Sequence, residues 1–225
     1  MTTRSYAQYC GLAYALDLVG ERWALLVVRD LLHGPRRFTD LARGLQGIPS
    51  NVLSARLREL EENGIVARRV LPRPDGSVVY ELTPYGRELE EIVLALGRWG
   101  ARSLGPVREG DALAPSALLV ALQASFQPEA ARALRACYEL RIGPVAVHAV
   151  VDDGALTLGD GPLADPDLVL ETDDTLVGLL NGELTAEQAL ADGRLAVRGD
   201  AEQLPGFFAA FRLPSRVRPS VDECA

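Results

Sequence analysis

Apolar residues recur at helical intervals through most of the first hundred positions of the chain. Over residues 12–32 they predict two helices separated at Gly20, because glycine ends a helix readily. A short helix is predicted over residues 38–45. A longer one follows Pro49 and ends at Asn63-Gly64, a pair typical of a helix C-terminus.

The pattern then changes from helical spacing to alternation between apolar and polar positions. Residues 65–71 and 77–82 alternate in this way, and the segment 72–76, Pro-Arg-Pro-Asp-Gly, is a strong turn signal between them. A β-hairpin is therefore expected, followed by a helix from Thr83-Pro84 to about Leu104. The order helix, helix, short helix, helix, hairpin, helix is typical of a winged helix-turn-helix domain.

The second half of the chain mixes both periodicities. A helix is predicted over 128–136, strands over 138–142, 145–151, 155–158, 168–171 and 195–198, and helices over 175–180, 186–191 and 204–211. This order predicts an α+β domain built on an antiparallel sheet. The expected organisation is a domain over 1–105, a linker over 106–114, a second domain over 115–213 and a flexible tail over 214–225.

Charge is distributed unequally between the two halves. Residues 1–105 carry 14 arginines and 12 acidic residues, whereas residues 106–225 carry 9 arginines and 19 acidic residues. A nucleic-acid contact is therefore expected only in the first half, because the acidic second half disfavours DNA and anionic membranes. The sequence shows no apolar run of membrane-spanning length and no secretory signal, so a cytoplasmic location is expected.

Few residues are available for metal or catalytic chemistry. The three cysteines have no short spacing and there are only two histidines, so neither a metal site nor a cofactor is predicted. The serine-hydrolase, zinc-protease, P-loop and dinucleotide-binding motifs are absent, which argues against an enzyme. The pairs Asp152-Asp153 and Asp173-Asp174 are assigned to turns and helix caps, where aspartate is favoured.

The helix after Pro49 has the pattern of a helix that reads double-stranded DNA. Leu53, Leu57 and Leu60 would form its buried face, leaving small polar and basic side chains toward the major groove. Arginines on the hairpin and before the short helix would reach phosphates or the minor groove. The candidate DNA-binding residues are Arg36, Arg37, Ser50, Asn51, Ser54, Arg56, Arg58, Arg68, Arg69 and Arg73.

In residue detail, positions 10–82 and the segment directly after them resemble HxlR-type regulators, a branch of winged-helix dimers. The resemblance is carried by Cys10, Ala15-Leu16-Asp17-Leu18-Val19-Gly20, Arg22-Trp23, Arg29-Asp30-Leu31, Gly34-Pro35-Arg36-Arg37-Phe38, Leu53, Leu57-Arg58-Glu59-Leu60-Glu61, Gly64-Ile65-Val66 and Tyr80-Glu81-Leu82-Thr83-Pro84-Tyr85-Gly86. It implies a homodimer joined by the first and last helices of the domain, bound to an inverted-repeat operator. It also makes Cys10 a candidate redox sensor, with a buried structural thiol as the alternative.

The recognition helix departs from the usual family pattern. Pro49-Ser50-Asn51-Val52 stands where members of the family commonly carry a basic residue. This difference leaves the operator sequence open.

The second domain, over about a hundred residues, resembles sterol carrier protein-type domains, in which a sheet and helices enclose an apolar tunnel. The carrying residues are Asp167-Leu168-Val169-Leu170-Glu171-Thr172-Asp173, Leu176, Leu179-Leu180-Asn181-Gly182-Glu183-Leu184, Ala186, Gln188-Ala189-Leu190, Gly193-Arg194-Leu195, Val197 and Gly199-Asp200. The resemblance implies an apolar small-molecule ligand. The lining candidates are Leu176, Leu180, Phe207, Phe208 and Phe211, and for each of them ordinary core packing is the alternative that we weigh first.

Three functional hypotheses remain open from the sequence. The first is a DNA-binding regulator controlled by an apolar small molecule in its second domain. In the second hypothesis that domain serves only dimerisation or protein contacts. The third is a lipid-carrier protein whose winged domain does not bind DNA. A ligand effect requires unequal binding to two states of the dimer.

Overall fold

The computed structural model describes residues 5–105, 107–108, 110–111, 113–173 and 175–216. It divides into two compact units, Met1–Val93 and Leu94–Ala225. No helix in the described part of the chain combines the length and apolar character that a bilayer crossing requires. The domain, linker and tail boundaries stay predictions, and linker positions 106, 109 and 112 and tail positions 217–225 lie outside the described residues.

Four helices open the first unit: α1 (Gly11–Val19), α2 (Ala24–Leu31), α3 (Phe38–Gly44) and α4 (Ser50–Glu62). They confirm the helices expected from the apolar spacing. Because those apolar positions recur every three or four residues, each of the last three helices turns one face inward. The core of this unit includes Val27, Val28, Leu31, Leu41, Leu45, Leu53, Leu57 and Leu60.

The predicted hairpin is present as β2 (Val66–Val70) and β3 (Val78–Leu82). A short strand, β1 (Arg36–Arg37), pairs with the other side of β3, so the antiparallel sheet has the order β1-β3-β2. This third strand was not expected, because two arginines carry no strand signal of their own. The first unit thus has the helices and the two-stranded wing of a winged helix-turn-helix.

The helix expected from Thr83-Pro84 to about Leu104 is broken in two and ends early. Helix α5 (Pro84–Arg87) and helix α6 (Glu90–Ala101) are separated by a tight turn. At this turn the amide of Leu89 donates to the carbonyl of Gly86, an i to i−3 bond that interrupts the α-helical ladder. The predicted start is confirmed: the Thr83 hydroxyl accepts from the Gly86 amide at 2.9 Å.

The second unit contains a five-stranded sheet of order β6-β5-β4-β7-β8. The strands are β4 (Arg135–Ile142), β5 (Val145–Asp152), β6 (Ala155–Asp160), β7 (Leu168–Thr172) and β8 (Leu195–Gly199). The α+β class is confirmed, and all pairs are antiparallel except β4 with β7. The segment joining this parallel pair contains β5 and β6, long enough for a crossover.

Helices α7 (Pro115–Ser125), α8 (Leu176–Leu180), α9 (Ala186–Ala191) and α10 (Leu204–Ala210) complete the second unit. Aromatic side chains dominate its core: the ring centroids of Phe207 and Phe211 lie 4.8 Å apart, and Tyr138 meets Phe207 edge-on at 5.1 Å. The hydroxyl of Thr185 and the side chain of Gln188 cap α9 reciprocally.

The helix predicted over residues 128–136 is wrong. The chain forms turns there, and β4 begins at Arg135. Ala133 adopts a left-handed conformation (φ 61°), which ends any helix, and its amide donates to the Asp153 carboxylate at 2.9 Å. Pairing of Ala136 with Val151 across β4 and β5 therefore overrides the helical propensity of this alanine-rich segment.

We expect Gly86→Ala to lower the free energy of unfolding by about 1–3 kcal/mol, because the change overpacks a site with no space. A Cβ atom at Gly86 would lie 2.0 Å from the carbonyl oxygen of Ile65, a backbone atom that cannot rotate away. Urea unfolding followed by circular dichroism measures the effect.

The matched control is Gly97→Ala within α6, where no atom lies within 4 Å of the added Cβ. This change should stabilise the protein by roughly 0.5–1 kcal/mol, since alanine restricts the unfolded chain and favours helix. An unfolding midpoint unchanged by Gly86→Ala would contradict the packing described here.

Candidate nucleic-acid interface and ligand cavity

One face of α4 is apolar and buried, and the opposite face is polar and exposed. Leu53, Leu57 and Leu60 lie against the rest of the unit with at most 2% of their surface exposed. The predicted residues Ser50, Asn51, Ser54 and Arg58 are all exposed. Asn51, Ser54 and Arg58 follow a spacing of three and four residues, which places them along one stripe of the helix.

The exposed stripe of α4 carries donors and acceptors that suit base edges. The hydroxyl of Ser54 donates to the carbonyl of Ser50 at 2.8 Å, which fixes its rotamer near the helix start. Within the described residues, no carboxylate pairs with Arg58. Its guanidinium is therefore available to a partner outside the chain.

The three predicted arginines of the wing differ in whether they form an ion pair within the described residues. Arg68 and Arg73 are exposed, and the described part of the chain offers neither of them an ion pair. Arg69 instead forms two hydrogen bonds with the carboxylate of Glu81, both of 2.9 Å. Arg68 and Arg73 are thus the wing cations best placed to meet phosphates.

The predicted phosphate contacts before α3 lie on strand β1. Arg36 is half-buried there, opposite Tyr80 of β3. Arg37 is exposed, and its Nη2 donates to both carboxylate oxygens of Asp75 at 2.9 and 3.0 Å. The proximity of the Ser77 hydroxyl, the largest cause, and the charge of Arg37 lower the pKa of Asp75. This pair links β1 to the tip of the wing.

Arg56 is the predicted DNA contact that the geometry favours least. Its side chain is only 12% exposed, pairs with Glu59 and lies 3.7 Å from a carboxylate oxygen of Glu21. Releasing it toward DNA would break both ion pairs. This arrangement favours a structural role, and the DNA contact of Arg56 stays a prediction.

Cys10 lies directly before α1 and is exposed. Hydrogen bonds from the backbone amides of Ala13 and Leu12 stabilise its thiolate and lower the pKa of the thiol. In Cys137, on β4, burial and the neighbouring charges of Asp167 and Asp165 raise the pKa. The two thiols therefore differ in the direction of their pKa shifts, and Cys224 lies outside the described residues.

A cavity of about 310 Å³ lies in the second unit among α8, α9 and α10. Two of the predicted lining residues, Leu180 and Phe208, border it. Leu176, Phe207 and Phe211 do not border this cavity and pack in the core instead. The remaining lining residues, which sequence reasoning missed, are Leu179, Gly182, Leu184, Thr185, Ala186, Glu187, Leu204, Pro205 and Arg212.

The three described aspartates of the two pairs have structural partners, as expected of turns and caps. Asp152 pairs with Arg135, Asp153 accepts from the Ala133 amide, and Asp173 accepts from the Thr175 amide at 2.9 Å. Asp174 lies outside the described residues. In the part of the chain that the structure describes, no three His, Cys, Asp or Glu side chains are grouped as metal ligands.

A helix with a buried leucine face and an exposed polar face, next to an arginine-bearing wing, defines a DNA-binding protein of the winged helix-turn-helix class. The chain belongs to the HxlR-like helix-turn-helix family, whose model matches residues 18–108. A second match covers residues 118–211 and is to the SCP-2 sterol transfer family. Both resemblances inferred from the sequence are confirmed, and the chain is a transcription regulator of the HxlR type.

Curated relatives match the first part of the chain and are named HTH-type transcriptional regulators. Regulator sll1512 of Synechocystis is 37% identical over 92 residues, which are 41% of this chain and 68% of that protein. Regulator YodB of Bacillus subtilis is 36% identical over 41% of this chain and 82% of its own. Regulator Rv3095 of Mycobacterium tuberculosis is 46% identical over 43% of this chain and 60% of its own.

Solved structures with similarity to this chain include the redox regulator HypR in its oxidized form. It is 35% identical, and the match covers 43% of this chain and 99% of HypR, with a TM-score of 0.41. The reduced form of YodB is 33% identical over 46% of this chain and 100% of that structure, with a TM-score of 0.39.

At pH 7 we expect iodoacetamide to alkylate Cys10 roughly tenfold or more faster than Cys137. The reacting species is the thiolate, and a lowered pKa increases its fraction whereas a raised pKa decreases it. Mass spectrometry of timed digests measures both rates in a Cys224→Ser background. Cys10→Ser should remove the fast phase, and equal rates at Cys10 and Cys137 would contradict the described environments.

Proposed function

We propose that this regulator binds inverted-repeat duplex DNA as a homodimer, with α4 in the major groove. The observation that carries the proposal is the two-sided character of α4. Its three buried leucines hold the helix rigidly, while Asn51, Ser54 and Arg58 point away from the core. A helix of this kind can enter the groove without exposing apolar surface.

The exposed side chains of α4 match the chemistry of base edges. An asparagine pairs with the N6 and N7 positions of adenine, and an arginine pairs with O6 and N7 of guanine. Arg68 and Arg73 on the wing supply phosphate or minor-groove contacts, which position the protein but carry little sequence information. Arg37 joins them only if it leaves Asp75.

We expect Arg58→Ala to weaken binding to the operator by about 1–3 kcal/mol and to relax the preference for one base pair. Asn51→Ala should act similarly at a neighbouring position, and the double variant should lose selective binding. A mobility shift with the DNA upstream of the protein's own gene, against scrambled DNA, measures the effect at two salt concentrations.

The matched control is Arg132→Ala, which removes an exposed arginine of the second unit. It has the same charge change and should leave operator affinity unchanged. Absence of selective binding to any genomic fragment by the unaltered protein would remove this proposal. The lipid-carrier interpretation with a winged domain that does not bind DNA would then take its place.

Exposed apolar side chains support the dimer. Ile92, Leu96 and Trp99 form a stripe along α6, with 52%, 47% and 72% of their surface exposed. Leu12 and Leu16 form a second stripe on α1, 70% and 40% exposed. Large apolar side chains in such rows mark an interface, and a two-fold dimer matches an inverted repeat.

We expect Leu96→Glu to weaken dimerisation roughly tenfold or more, because a carboxylate would lose its hydration inside an apolar interface. Sedimentation velocity over a range of protein concentrations measures the shift toward monomer. Leu190→Glu is the control, since Leu190 is 38% exposed and lies outside both stripes. Identical association of both variants would show that α6 does not form the interface.

Control by a small molecule is the second part of the proposal. The cavity among α8, α9 and α10 offers a site. Its lining residue Arg212 is hydrogen-bonded to the segment at the end of α7. The Arg212 amide donates to the Ser125 carbonyl at 2.7 Å, and the Gln127 side chain donates to the Arg212 carbonyl at 3.2 Å. A ligand that shifts this segment would act on α7, the first helix after the predicted linker. A C-terminal domain that only assembles the dimer would show no such effect.

Thiol-based sensing at Cys10 is a second candidate, favoured by the exposed thiol and its lowered pKa. Oxidation or an electrophile would add bulk or a covalent link at the start of α1, the helix that carries Leu12 and Leu16. Sensing at Cys10 requires first that this thiol is alkylated faster than Cys137, as predicted above. A Cys10 that reacts no faster than Cys137 excludes this candidate.

A further inference from the structure

Two arginines of the three-stranded sheet are paired with carboxylates, and the two pairs differ in geometry. Glu81 accepts hydrogen bonds from both Nε and Nη2 of Arg69, so its carboxylate occupies one whole edge of that guanidinium. Asp75 instead accepts from Nη2 of Arg37, at 2.9 and 3.0 Å. The Nε and Nη1 donors of Arg37 are not used by Asp75, so this pair is the less complete of the two.

The Arg37–Asp75 pair is also open to solvent. The two side chains have 51% and 42% of their surface exposed, whereas Glu81 has 29%. An exposed pair of this kind is weak and screened by salt, so another anion can displace the carboxylate. The phosphates of duplex DNA are suitable competitors, because a guanidinium binds a phosphate with the same two-pronged geometry as a carboxylate.

The turn between β2 and β3 brings Asp75 to this arginine. Gly76 adopts a left-handed conformation (φ 61°), and its amide donates to the carbonyl of Pro72 at 3.4 Å, which closes the turn. Arg37 lies opposite Val79 of β3 in the sheet. The carboxylate at the tip of the wing therefore reaches back to a cation on the neighbouring strand.

Pairing with Asp75 changes what Arg37 offers to DNA. An arginine strengthens binding to DNA by neutralising a phosphate and releasing its counterion. A guanidinium whose charge is already compensated by a carboxylate contributes little to this release. Arg68 and Arg73 of the same wing, which have no ion pair within the described residues, keep their full charge for the backbone.

We propose that Asp75 competes with DNA phosphates for Arg37 and thereby restrains binding to duplexes of any sequence. The base contacts of α4 then supply a larger share of the affinity, because phosphate contacts carry no sequence information of their own. Asp75 acts through Arg37 and is a positioning residue of the interface. The inference rests on the proposed function and adds a residue that limits it.

Asp75→Asn removes the charge of this side chain and keeps its shape. Fluorescence anisotropy of the full chain on a labelled scrambled duplex, between about 50 and 200 mM KCl, measures affinity and its salt dependence. The variant should bind about threefold to tenfold more tightly at the lower salt concentration. The slope of log affinity against log salt should become steeper by about 0.9 per bound protomer, because one more phosphate is neutralised.

Arg37→Gln separates competition for Arg37 from simple repulsion between Asp75 and DNA. In the parent this change should leave the salt slope on scrambled DNA unchanged, because Arg37 is held by Asp75. Combined with Asp75→Asn, it should abolish the steeper slope. The control Asp192→Asn removes an exposed carboxylate of the second unit and should leave affinity and slope unchanged. Urea unfolding midpoints close to that of the parent would show that the variants are folded.

Two results overturn the competition. One is an Asp75→Asn variant that has the salt slope of the parent or binds scrambled DNA more weakly. The other is a steeper slope that persists in the double variant, since the change would then not act through Arg37.

Binding of the parent to its operator tests the proposed function separately. A parent that binds the operator selectively, with an Asp75→Asn variant of unchanged slope, preserves the function and removes this inference. A parent and an Asp75→Asn variant that both fail to bind any duplex remove the two together. Binding by Asp75→Asn to a duplex that the parent does not bind supports the competition.

Discussion

The packing of Leu53, Leu57 and Leu60 decides the orientation of α4, and the DNA-binding surface depends on it. These three side chains are essentially removed from solvent, so rotating the helix would expose apolar surface that costs about 1.5–3 kcal/mol per side chain. The helix therefore has one outward stripe, and Asn51 and Arg58 lie on it. The polar face needs no further interaction to hold it outward.

Ion pairs within the fold engage some of the arginines that surround this helix and leave others available to a partner. The first half of the chain has more arginines than acidic residues, but several of its arginines are engaged within the fold. Arg69 pairs with Glu81, Arg37 with Asp75, and Arg56 with Glu59. The more exposed pairs, Arg69–Glu81 and Arg37–Asp75, contribute little to stability, about 0–1 kcal/mol, so their main effect is to position side chains. The arginines left available are fewer and more localised than the net charge suggests.

The apolar residues of the second unit pack in its core, and some of them also line the cavity. Phe207 and Phe211 pack against each other, Tyr138 of β4 meets both of them edge-on, and all three side chains are buried. The cavity is left to one side, among three short helices. It has a cation at its border although the surrounding half of the chain is acidic.

Most of the secondary structure follows from apolar periodicity and turn residues, because those patterns act over a few positions. Helices α1 to α4, the wing and the strands of the second unit were predictable on that basis, whereas both families were identified from the resemblance of particular residues. Contacts between distant positions decided the rest. Strand pairing with β5 converted the alanine-rich segment before Arg135 from an expected helix into turns and strand. Likewise, the sequence determined that Arg56 and Arg58 share a helix, but only the tertiary structure decided that one is buried against Glu21 while the other faces solvent, because that difference depends on which side chains the fold brings beside them.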